Sequence, residues 1–171
     1  INEYAEATKT FYINVVEKET VTFSGITDNQ VFTYDGKAKK PTGRLEIQGG
    51  NVKMLDTKYK GTGTTNYDSA NPPKNAGTYT VTYSVPENNP DYVGSVTYAF
   101  TIKKAQVDKE DPKTTTFEYD GMIHGYDCGH IVGIQEITGT FMALKVGNYS
   151  FTWSLVDKDN YEWKDGTTDD Y

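Results

Sequence analysis

The sequence predicts an all-β chain of two tandem sandwich modules, and three observations carry the prediction. Two long stretches present the same motifs in the same order, the strongest segments alternate apolar and polar residues, and 14 Tyr and 7 Phe join abundant Thr and Gly. Alternation at period two is the mark of a strand with one buried face, and aromatic and Thr-rich composition favours the same state. No segment shows a convincing helical period.

Taken in order, Thr10–Val16 comes first, with Phe11, Ile13 and Val15 on one face, and Val21 and Phe23 continue a similar pattern before the Asp28-Asn29 turn. Phe11-Tyr12-Ile13-Asn14-Val15-Val16-Glu17-Lys18 is close in character to Phe100-Thr101-Ile102-Lys103-Lys104, so residues 1–30 read as an orphan strand and linker, the end of a preceding module. The first repeat, 31–105, opens with Phe32-Thr33-Tyr34-Asp35-Gly36, a turn. Gly49-Gly50 and the Lys58–Lys74 stretch, rich in Gly, Thr, Asn and Pro, read as a long surface loop or hairpin. Thr78–Val85 then points Tyr79, Val81, Tyr83 and Val85 one way, and Ser95–Lys103 does the same with Val96, Tyr98, Phe100 and Ile102. Pro86–Asp91, closed by Tyr92, turns between them to give an antiparallel hairpin.

Residues 106–115, charged and containing Pro112, read as a linker, and a second, shorter repeat fills 116–171. It opens on Phe117-Glu118-Tyr119-Asp120-Gly121 and continues with Gly147-Asn148-Tyr149-Ser150-Phe151-Thr152-Trp153-Ser154. Tyr149, Phe151, Trp153 and Leu155 form its core face, and Asp157-Lys158-Asp159-Asn160-Tyr161 is its turn. Tyr34 and Tyr119 lie 85 residues apart (34 to 119), but Gly77 and Gly147 lie 70 apart (77 to 147) and Tyr92 and Tyr161 lie 69 apart (92 to 161). The second copy is therefore shorter between its opening turn and its core strand, and it has no counterpart of Ser95–Lys103.

Short alternating strands separated by turns suggest an Ig-like sandwich, and the Gly-x-Tyr placement at Gly77/Tyr79 and Gly147/Tyr149 suggests a tyrosine corner. The stretches FTYDGKAKKPT, NAGTYTVTYSV and YVGSVTYAFTIKKA, with FEYDG and VGNYSFTWSLVDKDNYEWKDGTT in the second copy, resemble the bacterial Ig-like domains of the MBG or YDG type. The likeness covers residues 31–171. Such modules occur in tandem in large surface proteins of Gram-positive bacteria. The resemblance implies an extracellular, adhesin-like, cell-wall-attached parent protein of which this chain is one piece, with wall attachment supplied by other parts. The partners it implies are a host or microbial surface protein or glycan.

Charge narrows the function further. The net charge is −7 and Arg44 is the one arginine, which argues against nucleic acid, since phosphate binding needs clustered Lys and Arg. Lys37–Lys40 and Lys103-Lys104 read as solvated turn ends, and no stretch suits direct membrane insertion. Cys128 is the single cysteine and cannot form an internal bridge. Asn148-Tyr149-Ser150 fits a glycosylation sequon but falls in a predicted core strand.

Two clusters carry residues that bind metals. His124, Cys128 and His130 lie within seven residues, yet the chain has no other Cys or His to complete a zinc site. A buried Cys with two loop histidines is the alternative, and a thiol nucleophile at Cys128 would need a base and oxyanion pocket that the sequence does not show. Asp157-x-Asp159-Asn160, with Asp165, looks like the start of a calcium loop, but the Gly and the bidentate Glu that such a loop needs are absent, leaving an Asx turn as the alternative. Aromatic side chains such as Tyr59, Tyr126, Tyr161 and Trp163 suit sugar stacking or core packing.

The expectation is therefore a non-catalytic stalk or interaction segment with no cofactor. The residues that carry the reading are Tyr34, Asp35, Gly36, Gly77, Tyr79, Tyr92, Tyr119, Asp120, Gly121, Gly147, Tyr149 and Tyr161. The alternative from another class is an accessory or carbohydrate-binding Ig-like module of a secreted carbohydrate-active enzyme. A last expectation follows from the short second copy: Thr10–Val16 of one molecule completes the second module of another by strand exchange.

Overall fold

A computed structural model describes residues 9–110, 113–127 and 129–171. It is all-β, with several sheets. Among the described residues no helix is long and apolar enough to cross a membrane.

The first module begins earlier than the sequence pattern suggests. β1 (Glu19–Thr20) and β2 (Thr22–Ile26) flank Val21, which is only 3% exposed, and β3 (Gln30–Thr33) follows after the Asp28-Asn29 turn. Residues 19–30 are thus part of this module and not a linker. β4 (Gly43–Gln48) pairs antiparallel with β2. β5 (Asp56–Gly61) and β6 (Asp68–Ser69) precede the long pair β7 (Gly77–Ser84) and β9 (Ser95–Lys103), with the short β8 (Tyr92–Val93) between them. One five-stranded sheet runs in the order β3-β9-β7-β5-β6, and β1 pairs parallel with β8.

The core is built as the alternation of β7 and β9 requires. Tyr79, Val81, Tyr98, Phe100 and Ile102 are buried together with Tyr59, and Ile26 of β2, Phe32 of β3 and Leu45 of β4 pack against them. Tyr79 stacks on Phe100 at 5.5 Å between ring centres, and Phe32 and Tyr59 meet Phe100 edge-on, the geometries that aromatic quadrupoles favour. The Lys58–Lys74 stretch, read as a long surface loop or hairpin, holds a hairpin in which β5 and β6 pair antiparallel, and it is not peripheral. β5 lies inside the sheet, paired with β7 from Asp56 to Gly61, and it supplies Tyr59 to the core.

The expected linker from residue 106 is also corrected. β10 (Ala105–Val107) follows β9 after one residue, Lys104, and pairs parallel with the last strand of the second module. The elements between are β11 (His124–Gly125), β12 (Gln135–Gly139), β13 (Met142–Ala143), β14 (Phe151–Leu155) and that last strand, β15 (Tyr161–Trp163). β12 pairs antiparallel with β14, and β11 with β13. Val107, Leu155 and Trp163 make the second core, with Tyr161 and Tyr171 packed on it. Trp163 and Tyr59 are therefore core residues and not exposed sugar platforms.

Two sequence expectations meet a different outcome here. Residues 10–16 form no strand; Phe11, Ile13 and Val15 are between 83% and 88% exposed. Tyr149, expected in the second core face, lies ahead of β14 and is 49% exposed, whereas Trp153 and Leu155 are buried as expected. The reason is local. In the first module β9 covers this edge of β7, and among the described residues no strand follows β15 to cover the same edge of β14.

Candidate functional site

The repeated motifs fold into repeated hydrogen-bonded corners. In Tyr34-Asp35-Gly36, Asp35 Oδ1 accepts from the Lys37 N–H at 2.9 Å and Gly36 takes a φ of 75°. In Tyr119-Asp120-Gly121, Asp120 Oδ1 accepts from the Met122 N–H at 2.8 Å and Gly121 takes a φ of 79°. Each is an Asx turn followed by a residue in the left-handed region, which glycine occupies without steric cost. A cationic or ring partner sits four residues on in both: Lys39 Nζ donates to Asp35 at 2.6 Å, and His124 Nε2 lies 2.8 Å from Asp120. Asp35 is held below the usual carboxylate range first by the Lys39 hydrogen bond. Asp120 is lowered first by the Met122 backbone and then by His124.

The second corner is the tyrosine tie. Tyr79 donates its hydroxyl to the Asn75 carbonyl at 2.8 Å, and Tyr149 donates to the Lys145 carbonyl at 2.9 Å, the same four-residue reach in both copies. Gly77 and Gly147 lie inside these loops. A Cβ on Gly77 would fall 2.8 Å from Thr65 and 3.0 Å from the Tyr79 hydroxyl; one on Gly147 would fall 3.1 Å from the Tyr149 hydroxyl. Space, and not a positive φ, is what favours glycine at both, strongly at Gly77 and more loosely at Gly147.

Where the modules meet, these corners become a joint. Asn160, 5% exposed, accepts the Ala76 N–H at 2.7 Å through Oδ1, and its Nδ2 donates to Asp157 at 2.8 Å. The second module's turn is thereby bonded to the loop of the first module's tyrosine corner. Tyr34 packs edge-on against Tyr161 at 5.4 Å between ring centres. Burial pushes the Tyr34 hydroxyl up, and the neighbouring Tyr161 adds to it. Lys104 Nζ donates to the Lys158 carbonyl at 2.7 Å. The first module carries the same bond at its other end, where Lys18 Nζ donates to the Glu87 carbonyl at 2.8 Å and β1 lies against Tyr92.

The metal candidates are dispersed. His124 stacks on Phe117 at 4.9 Å and pairs with Asp120, His130 is exposed, and Cys128 lies outside the described residues. Asp157 caps the backbone of Asp159 and Asn160, while Asp165 caps Thr167 and pairs with Lys109. Each carboxylate serves its own turn. Among the described residues no three His, Cys, Asp or Glu side chains converge as a metal site would require.

Sequence reasoning placed Tyr34 and Tyr161 in the repeat but did not find Asn160. Its position at the end of an Asn/Asp-rich turn was visible, whereas its contact with Ala76, 84 residues away, was not. The other feature without a sequence signal is an open groove of about 600 Å³ on the second module, lined by Phe117, Tyr119, Phe141, Val146, Tyr149 and Phe151 among others. No family model, no curated protein and no solved structure matches the chain.

Proposed function

We propose that the chain is a non-catalytic, extracellular stalk segment of a Gram-positive bacterial surface protein, made of two tandem Ig-like sandwich modules of the MBG or YDG type. The observation that carries this reading is the joint. One residue, Lys104, separates the last long strand of the first module from the first strand of the second, and a buried Asn160 bonds the two across it. A connection this short leaves little freedom between modules, and rigid serial modules suit a spacer that holds a distal region away from a surface. The repeated Asx turns and tyrosine corners support the module type, because they are the motifs on which the resemblance rests.

Small-angle X-ray scattering on the chain lacking residues 1–16 tests the proposal. The expected particle is one elongated body as long as two modules end to end, with no sign of a flexible ensemble. Scattering from two independently moving modules would overturn the stalk. Binding of the same chain on a glycan array would favour the accessory carbohydrate-binding alternative.

A further inference from the structure

Three groups of lysines that are far apart in the sequence meet at the joint. Lys37, Lys39 and Lys40 follow the Asp35 turn after β3, Lys74 precedes the tyrosine corner of β7, and Lys103 and Lys104 stand at the end of β9. Backbone bonds draw them together. The Lys39 N–H donates to the Pro73 carbonyl at 2.8 Å, with Pro73 fully buried beside Lys74, and the Tyr34 N–H donates to the Lys103 carbonyl at 2.8 Å. Thr33 and Lys103 are also partners across β3 and β9. The runs that read as separate solvated turn ends in the sequence therefore share one surface.

A cleft of about 860 Å³ opens on that surface, lined by Ala38, Lys74, Lys103 and Lys104 of the first module and by Asp159 of the second. Its charge runs against that of the whole chain, which is −7. Lys39 is committed to Asp35. Lys37, Lys40, Lys74, Lys103 and Lys104 have no carboxylate partner among the described residues, and Lys104 gives its ammonium to the Lys158 carbonyl. Asp159 is the one carboxylate on the wall. The joint is held by Asn160, by Tyr34 against Tyr161 and by Lys104, so the other four lysines hold nothing in it.

The rest of the lining selects among anions. Thr64 and Asn66 present exposed side chains that bond to no other described residue, and they can donate to or accept from a polar chain. The two aromatic rings on the wall offer no open face. Tyr79 is 3% exposed, Tyr67 stands edge-on against it, and both hydroxyls are tied to backbone carbonyls. Sugar rings and nucleobases dock by stacking on such faces, so a wall without one disfavours both. The single arginine, Arg44, lies on β4 outside the lining, so the planar fork that grips phosphate in a bidentate way is missing as well. Point charges beside amide and hydroxyl groups suit carboxylates carried on a polypeptide.

We propose that this cleft docks an extended acidic segment of a partner polypeptide. Its Asp and Glu side chains meet Lys74 and Lys103, with Lys37 and Lys40 at the rim, and its backbone lies against Thr64 and Asn66. The contact is made of exposed ion pairs, so charge speeds the encounter and salt weakens it. It rests on the joint and holds whichever role the modules serve.

Fluorescence anisotropy with a labelled peptide of alternating Glu and Ser tests it on the full chain, on Lys74→Glu/Lys103→Glu and on Lys53→Glu/Lys113→Glu. The second variant makes the same charge change at exposed sites outside the cleft. All four side chains are exposed, so both variants fold as the parent does. The parent is expected to bind the peptide less tightly as sodium chloride rises, and the bound peptide is expected to shift the amides of residues 64–66, 74–77 and 103–105. The cleft variant loses about tenfold or more in affinity, since two exposed pairs are removed and turned to repulsion, while the control stays within about twofold. No binding at low salt, amide shifts confined to other surfaces, an equal loss in the control, or preference for an oligogalacturonate over the peptide overturns the proposal.

Discussion

Replacing Asn160 by Ala removes the polar contact that spans the joint. The side chain is 5% exposed, its Oδ1 accepts the Ala76 N–H at 2.7 Å, and its Nδ2 donates to Asp157 at 2.8 Å and lies 3.4 Å from Asn75 Oδ1. Truncation leaves the Ala76 N–H without its acceptor in a partly buried place, and a stranded donor of this kind costs about 1–3 kcal/mol. Asp at the same position keeps the acceptor but sets a like charge beside Asp157, so it rescues little. The assay follows from composition. Both tryptophans, Trp153 and Trp163, belong to the second module, so their fluorescence in a urea titration reports that module while far-UV circular dichroism reports the whole chain. Asn160→Ala is expected to lower the tryptophan midpoint and to separate it from the dichroism midpoint. A variant within about 0.5 kcal/mol of the parent, with coincident midpoints, would refute the coupling.

Other outcomes follow from the same geometry. Gly77→Val forces side-chain atoms into Thr65 and the tyrosine corner and should cost more than about 1 kcal/mol by thermal or urea melting; Gly147→Val, with looser neighbours, should also destabilise its module but by less. Acid should weaken the fold through depressed carboxylates. Asp35, Asp120, Asp165 and Asp170 are lowered first by hydrogen bonds from Lys39, the Met122 backbone, Thr167 and Lys158 respectively. Their contribution is present above the unfolded value of 3.8 and is lost as pH falls through the lower folded values, so urea midpoints should drop below about pH 4. Burial pushes the Tyr59 hydroxyl up to about 12, so its contribution is whole below pH 10 and lost as pH rises from there, which an alkaline titration followed by tyrosinate absorbance will show. EDTA should leave the melting temperature unchanged, and a drop of several degrees would reveal a structural ion.

The parts of the fold legible in the sequence were those that state their own burial. β7 with Val85 just beyond it, and β9, each present four alternating large side chains, and the tyrosine corners recur at fixed offsets from a glycine. β10 was missed because Ala105-Gln106-Val107 is too short to show a period and sits in a charged run that resembles a linker. β5 was missed because Asp56–Gly61 contains one large apolar residue, Tyr59, and its central place is set by pairing with β7. Residues 10–16 show the opposite failure. Their alternation says that one face suits a core, but periodicity does not say which core, and Phe11, Ile13 and Val15 are exposed. The joint at Asn160 rests on a contact between distant turns, which no local pattern encodes.

The rigid joint is tested most directly by backbone ¹⁵N relaxation on the chain lacking residues 1–16. If Lys104 and Asn160 lock the modules together, amides of β7 and β14 will fit one common anisotropic rotational diffusion tensor, and Asn160→Ala will loosen that agreement. Two separate tensors in the parent chain, one per module, would contradict it.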